Sequence, residues 1–201
     1  MKRFALLALL ALPLAAFANS IDTTNFGGTL TGNTAGMTLS GSKLIAVAFN
    51  GASPITGTTS LGSVAFSTGT LSGGSLQMGG TFTGGGSFVI TSTGASGLPS
   101  GTLFNGSFTG PVTWTLVTLG NGTHNYTLSG AVSGTWFNGR TVEGATAQLT
   151  INTGRGFFNG LTTISSGDTN IVTSVPEPGT LGLLGTGLVG IAGAMHRKFK
   201  S

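Results

Sequence analysis

Ala147-Gln148-Leu149-Thr150-Ile151-Asn152 decides the fold class of this chain. Apolar Ala147, Leu149 and Ile151 alternate with polar Gln148, Thr150 and Asn152, the two-residue period of a strand that buries one face and wets the other. The same period runs through Val112, Trp114 and Leu116, which alternate with Thr113 and Thr115. Shorter versions occur at Val64/Phe66, Leu76/Met78, Phe88/Ile90 and Tyr126/Leu128. No sustained helical period interrupts them, so the body of the chain is expected to be all-β.

Turn chemistry agrees. Asn-Gly tolerates the positive φ angles of a tight hairpin turn, and it occurs at Asn50-Gly51, Asn105-Gly106, Asn121-Gly122, Asn138-Gly139 and Asn159-Gly160. Phenylalanine precedes it at Phe49, Phe104, Phe137 and Phe158, which predicts an inward-packing ring at a strand end followed directly by a reversal. The unequal intervals between these motifs count against a solenoid or propeller. The expected architecture is a single antiparallel β-sandwich with Trp114, Trp136 and several phenylalanines in its core, with a β-helix or solenoid of Gly-rich turns as the alternative. Gly79 to Gly86 and Thr93 to Gly101 have the glycine density of long hairpin loops, and Ser165 to Ser174 reads as a flexible spacer. The all-β, Gly/Thr/Ser-rich domain is thus expected over residues 19–164, and the spacer over 165–174.

The two ends read differently from the body. Met1 to Ala18 has a charged start (Lys2, Arg3), an apolar run from Phe4 to Ala15 and an Ala16-Phe17-Ala18 cleavage site, the layout of a secretory signal peptide. At the other end stand Val175-Pro176-Glu177-Pro178, an uncharged run from Gly179 to Met195, and cationic Arg197, Lys198 and Lys200. As a helix that run is about 25 Å long, at the short end of what spans a bilayer core of about 30 Å. Cations beyond a membrane span stay cytoplasmic, which puts the body on the far side. Within this segment Gly185-Thr186-Gly187-Leu188-Val189-Gly190 fits G-x-G-x-x-G letter for letter. It has no βαβ context and no acidic residue about twenty positions later, so it is no dinucleotide fingerprint.

Removing the ends changes what the composition means. The net charge of +4 over the whole chain comes from the two termini. The body sets Lys43, Arg140 and Arg155 against Asp22, Glu143 and Asp168, a balance of zero that excludes a nucleic-acid footprint. The chain contains no cysteine, so neither a disulfide framework nor a lipid-bearing Cys at the signal site is available.

Catalytic groups are sparse. His124, in Asn121-Gly122-Thr123-His124-Asn125-Tyr126-Thr127, is the one histidine of the body. A nucleophilic triad would have to combine it with one of the three acids and a serine that no local motif selects. One His without Cys or clustered acids matches no structural zinc or EF-hand pattern, so neither a metal site nor a cofactor is expected. Asn105, Asn121 and Asn125 open N-x-Ser/Thr triplets, read first as turn chemistry. Thr29/Thr31, Thr81/Thr83 and Thr113/Thr115 place hydroxyls along one strand face. Such a face suits ice or carbohydrate, and it is also ordinary for the wet side of a strand.

The tail from Val175 to Ser201, with its intact Pro176-Glu177-Pro178 triplet, apolar run and basic end, resembles the PEP-CTERM sorting signal of exported bacterial proteins. Tails of this kind also go under an "ice-binding protein C-terminal" heading, which describes the tail and carries no ice binding to the body. The resemblance implies export through the Sec translocon, removal of the leader by signal peptidase, and recognition of the triplet by a membrane-embedded exosortase. It also implies transient membrane anchoring with the body periplasmic, followed by delivery to the cell surface or beyond. Hosts of such proteins typically make exopolysaccharide, which makes that polymer a candidate partner. The expected function is a non-catalytic structural or adhesive component of the envelope or extracellular matrix. A carbohydrate- or ice-binding module is the alternative, and a hydrolase the remote third.

Overall fold

The structure, a computed structural model, describes residues 20–57 and 59–172. The leader with Ala16 and Ala18, the sorting motif Val175 to Pro178, the run 179–195 and the basic Arg197, Lys198 and Lys200 lie outside the described residues. Among those described, no helix is long and apolar enough to cross a membrane.

Strand follows strand: β1 Ser20–Phe26, β2 Thr29–Asn33, β3 Gly36–Phe49, β4 Ile55–Thr56, β5 Gly62–Ser67, β6 Leu71–Ser75 and β7 Gly79–Phe82. Then come β8 Gly85–Thr93, a 3₁₀ turn at Ala95–Gly97, β9 Ser100–Phe108, β10 Val112–Thr118, β11 His124–Trp136, β12 Thr141–Asn152, β13 Leu161–Thr163 and β14 Ser166–Val172. Eight of them pair in the order β12-β14-β1-β3-β5-β8-β9-β11, and β11 pairs back onto β12, so the sheet closes into an antiparallel barrel. The sandwich and the solenoid expected from sequence are therefore both corrected. A half-buried strand carries the same alternation in a sandwich as in a barrel; what separates them is whether the outermost strands find each other. Here Ser20 stands opposite Val172 and Thr24 opposite Asp168, so β1 and β14 close the wall.

An eight-stranded barrel has an interior just wide enough for side chains to fill. Phe66, Phe88, Phe104 and Phe108 fill this one, with edge-to-face centroid distances of 5.7 Å for Phe66–Phe108, 6.1 Å for Phe88–Phe104 and 5.8 Å for Phe88–Phe108. Each buried ring contributes roughly 1.5–3 kcal/mol by transfer alone. Gly130 on β11 leaves the room they need: a Cβ there would stand 2.8 Å from the Phe108 ring. The void left at the centre, between Leu39, Val64, Leu128 and Thr169, is about 10 Å³, room for no more than one water. Asn25 and Ser42 also face inward, and they satisfy each other, Asn25 Nδ2 donating to Ser42 Oγ at 2.7 Å. The outer wall carries Asp22, Lys43, Thr146, Gln148, Asp168 and Asn170. Apolar inside and polar outside is the reverse of a membrane-spanning barrel.

The two longest strands change partners along their length. β3 pairs with β2 through Gly36 to Ser40 and with β1 through Lys43 to Phe49. β11 pairs with β10 up to Ser129 and with β9 from Val132. Two flaps, β2-β13 and β10-β7-β6, therefore grow from the wall at one end of the barrel. A second aromatic cluster lies on the β10–β11 side, where Trp114 stacks on Tyr126 at 4.8 Å and meets Phe158 edge-on at 5.3 Å. Trp114 Nε1 donates to Leu76 O at 2.8 Å. Tyr126 Oη donates to Gln77 O at 2.6 Å and accepts from Phe158 N at 3.1 Å.

Several local expectations are also corrected. Leu76 and Met78 belong to the turn between β6 and β7, and Met78 is 67 % exposed. Gly79 to Gly86, expected as a loop, supplies β7 and the start of β8. Its glycines permit close approach: a Cβ on Gly79 would meet Trp114 O at 2.8 Å. Asn105-Gly106 lies inside β9 and reverses nothing; it pairs with Gly134 and Thr135 of β11, where two glycines let the backbones approach. Ser165 to Ser174, expected as a flexible spacer, supplies the closing strand β14 from Ser166 to Val172. Its Ser, Gly, Asp and Thr look like linker composition because only every second residue faces the core.

Candidate ligand cleft at the barrel mouth

His124 starts β11 directly opposite Thr118, the last residue of β10. The pairing sets its Nδ1 3.0 Å from Thr118 Oγ1, and its ring stacks on Phe157 at 4.3 Å with planes 16° apart. At 8 % exposure it is a packed ring held by a hydroxyl. Asp22 sits on the outer face of β1, where it accepts from Asn170 Nδ2. Glu143 lies on β12, and Asp168 on β14 stands between Thr24 and Gln148. Neither hydrogen bond nor ion pair joins any of these acids to His124 among the described residues. No cluster of three His, Cys, Asp or Glu side chains forms there either. The threonine rows are split: Thr81 and Thr113 are neighbours across β7 and β10, while Thr29 and Thr31 lie on the other flap.

The structure assembles a different site, one that sequence reasoning missed. At the end of the barrel where Ser20 and Val172 meet, the hairpin joining β11 to β12 stands across from the end of β3 and the start of β1. Between them is a cleft of about 150 Å³. The hairpin contributes Trp136, Phe137, Asn138 and Arg140; the opposite wall contributes Ile21, Phe49 and Asn50. Two of the Phe-Asn-Gly turns thus face one another across it.

Hydrogen bonds set the turns in place. Asn50 N donates to Ser20 O at 2.7 Å, and Ser20 N donates to Asn50 Oδ1 at 3.1 Å, tying the β3 turn to the first strand. Asn50 at φ 53° and Gly51 at φ 69° both take the left-handed conformation that Asn-Gly provides. Across the cleft, Arg140 N donates to Asn138 Oδ1 at 3.1 Å, and Gly139 N donates to Trp136 O at 2.8 Å. Trp136 is 5 % exposed and tilts against Phe104 at 6.3 Å, so the barrel core braces it. Phe137, at 46 % exposure, turns outward instead of inward and stands 5.5 Å from Trp136. The legible sign was the recurrence of Phe-Asn-Gly; which copies come together depends on the ring closing.

Residues 174–198 match the PEP-CTERM protein-sorting motif, so the chain carries that signal. The motif implies export, a surface-directed protein and an exosortase as processing partner. No curated protein and no solved structure matches the chain.

Proposed function

We propose that this protein is an exosortase-processed, non-catalytic structural or adhesive component of the bacterial envelope or extracellular matrix. The observation that carries the reading is the sorting motif joined to a closed barrel whose body charge balances to zero. A neutral, hydroxyl-rich wall has little long-range field and so suits a hydrated polymer gel. In this reading the Sec translocon exports the chain and signal peptidase removes the leader after Ala18. The run 179–195 then holds the protein in the membrane, with the body periplasmic and Arg197, Lys198 and Lys200 cytoplasmic, until exosortase acts at Val175 to Pro178. A carbohydrate-binding role is the second reading, favoured by the aromatic and amide-lined cleft.

Intact mass and fractionation from a host with its own export machinery test the first reading, comparing the natural chain with Glu177→Ala. Loss of both ends and departure from the membrane for the natural chain, with retention of the variant, is the expected result. Retention of Val175 to Ser201 by both would make this a tethered surface protein and refute the processing step.

A further inference from the structure

We propose that the cleft at the barrel mouth binds one carboxylated six-membered sugar ring, a hexuronate, through a donor-rich polar face set beside an aromatic wall. Size comes first. A cavity of about 150 Å³ is known to take a benzene ring, and this open cleft has about that volume, so it admits one six-membered ring whose substituents reach its rim and the solvent.

The polarity of the cleft follows from hydrogen bonds already made. Only the oxygen of an Asn amide accepts from a backbone N–H. Asn50 Oδ1 is taken by Ser20 N and Asn138 Oδ1 by Arg140 N, which fixes both amides and leaves their NH₂ groups as the free ends. Trp136 supplies another donor. Unlike Trp114, whose indole N–H is bonded to Leu76 O, it makes no hydrogen bond within the described protein. No buried side-chain nitrogen lacks a partner among the described residues, so the Trp136 N–H is open to water. Arg140 adds a guanidinium fork that forms no ion pair among the described residues, and no carboxylate lines the cleft. Every polar side chain there therefore offers a donor. The matching ligand is rich in acceptors and negative, and a carboxylate fits the planar guanidinium two bonds at a time.

Ile21, Phe49 and Phe137 decide against a small inorganic anion, which has no apolar surface to set against them. The C–H face of a pyranose does. The inference deepens the carbohydrate-binding reading and is independent of tail processing, so its failure leaves the sorting experiment untouched.

The chain has two tryptophans, one in the cleft and one in the distant flap cluster, so each titration carries its own control. Full-length protein in detergent, labelled with ¹⁵N-tryptophan, is titrated separately with glucuronate, methyl glucoside and acetate while the two indole N–H signals are followed. The expected result is a saturable shift of the Trp136 signal with glucuronate, a still Trp114 signal, and roughly tenfold weaker binding of methyl glucoside and of acetate. Arg140→Gln, on an exposed side chain, should erase the preference for glucuronate over methyl glucoside and leave the undisturbed spectrum of Trp114 in place. Equal binding of the neutral and acidic sugars overturns the carboxylate assignment. Acetate as strong as glucuronate overturns the ring, and no shift of Trp136 with any probe overturns the site.

Discussion

Tyr126→Phe removes one oxygen atom and tests how the flaps are held to the barrel. Tyr126 is fully buried, and its hydroxyl accepts from the buried Phe158 N–H while donating to Gln77 O. Phe158 lies between β12 and β13, and Gln77 lies in the turn between β6 and β7, so one hydroxyl ties two separate loops to β11. The ring stays, and with it the stack on Trp114, so transfer and packing terms change little. What is lost is a bond at each end. Gln77 is exposed, and water can replace the donor to its carbonyl. The Phe158 N–H has no such recourse, and an orphaned buried donor costs about 1–3 kcal/mol. Adding about 0.5–1.5 kcal/mol for the second bond gives a loss of about 1.5–4.5 kcal/mol, or about 3–18 °C in Tm for a domain of this size. Thermal and guanidinium unfolding monitored by tryptophan fluorescence reads it directly. A loss under about 0.5 kcal/mol would mean that water reaches Phe158 N, and the reasoning from an orphaned buried donor would be wrong.

Two further outcomes follow from the barrel. Deleting residues 166–174 would be harmless if they were a spacer; here it removes β14 and bares the edges of β1 and β12, so the product should aggregate or elute as oligomers in size-exclusion chromatography, and a monomer of unchanged circular dichroism would refute the closed ring. Ser42→Ala strips Asn25 of its partner inside the barrel and should cost about 1–3 kcal/mol in a denaturation titration, whereas Asn25→Val combined with Ser42→Ala should recover most of that loss; an additive double variant would contradict the pairing.

The sequence read well wherever the determinant was local. Alternation at Ala147 to Ile151 and at Val112 to Leu116 marks strands because it registers one buried face, and the Asn-Gly turns at Asn50, Asn121 and Asn138 mark reversals through backbone conformation alone. It misled where spacing meant something else. Leu76 and Met78 alternate by chance in a tight turn. Asn105-Gly106 has the letters of a turn, yet Gly106 serves the approach of β9 to β11. The linker-like letters of Ser166 to Val172 hid a strand whose inward residues are only Gly167, Thr169 and Ile171. The closure itself, and with it the cleft between Asn50 and Asn138, depends on pairing between distant strands, which no local window contains. His124 was legible as a residue but not as a ring packed on Phe157.

The meeting of Ser20 with Val172 also sets an order of events. Thr23 donates to Thr169 O across 146 positions of sequence, and folds dominated by such distant pairings form slowly, over milliseconds to seconds. A chain threaded across a membrane from its N-terminus delivers β1 first and β14 last. Until Val172 has emerged, both flanks of the wall remain raw hydrogen-bonding edges, open to any passing strand. Only three residues then separate that strand from Pro176. On the export route proposed above, the ring could be completed only as the sorting signal arrives, which would place closure of the barrel and presentation of the signal next to each other in the order of translocation.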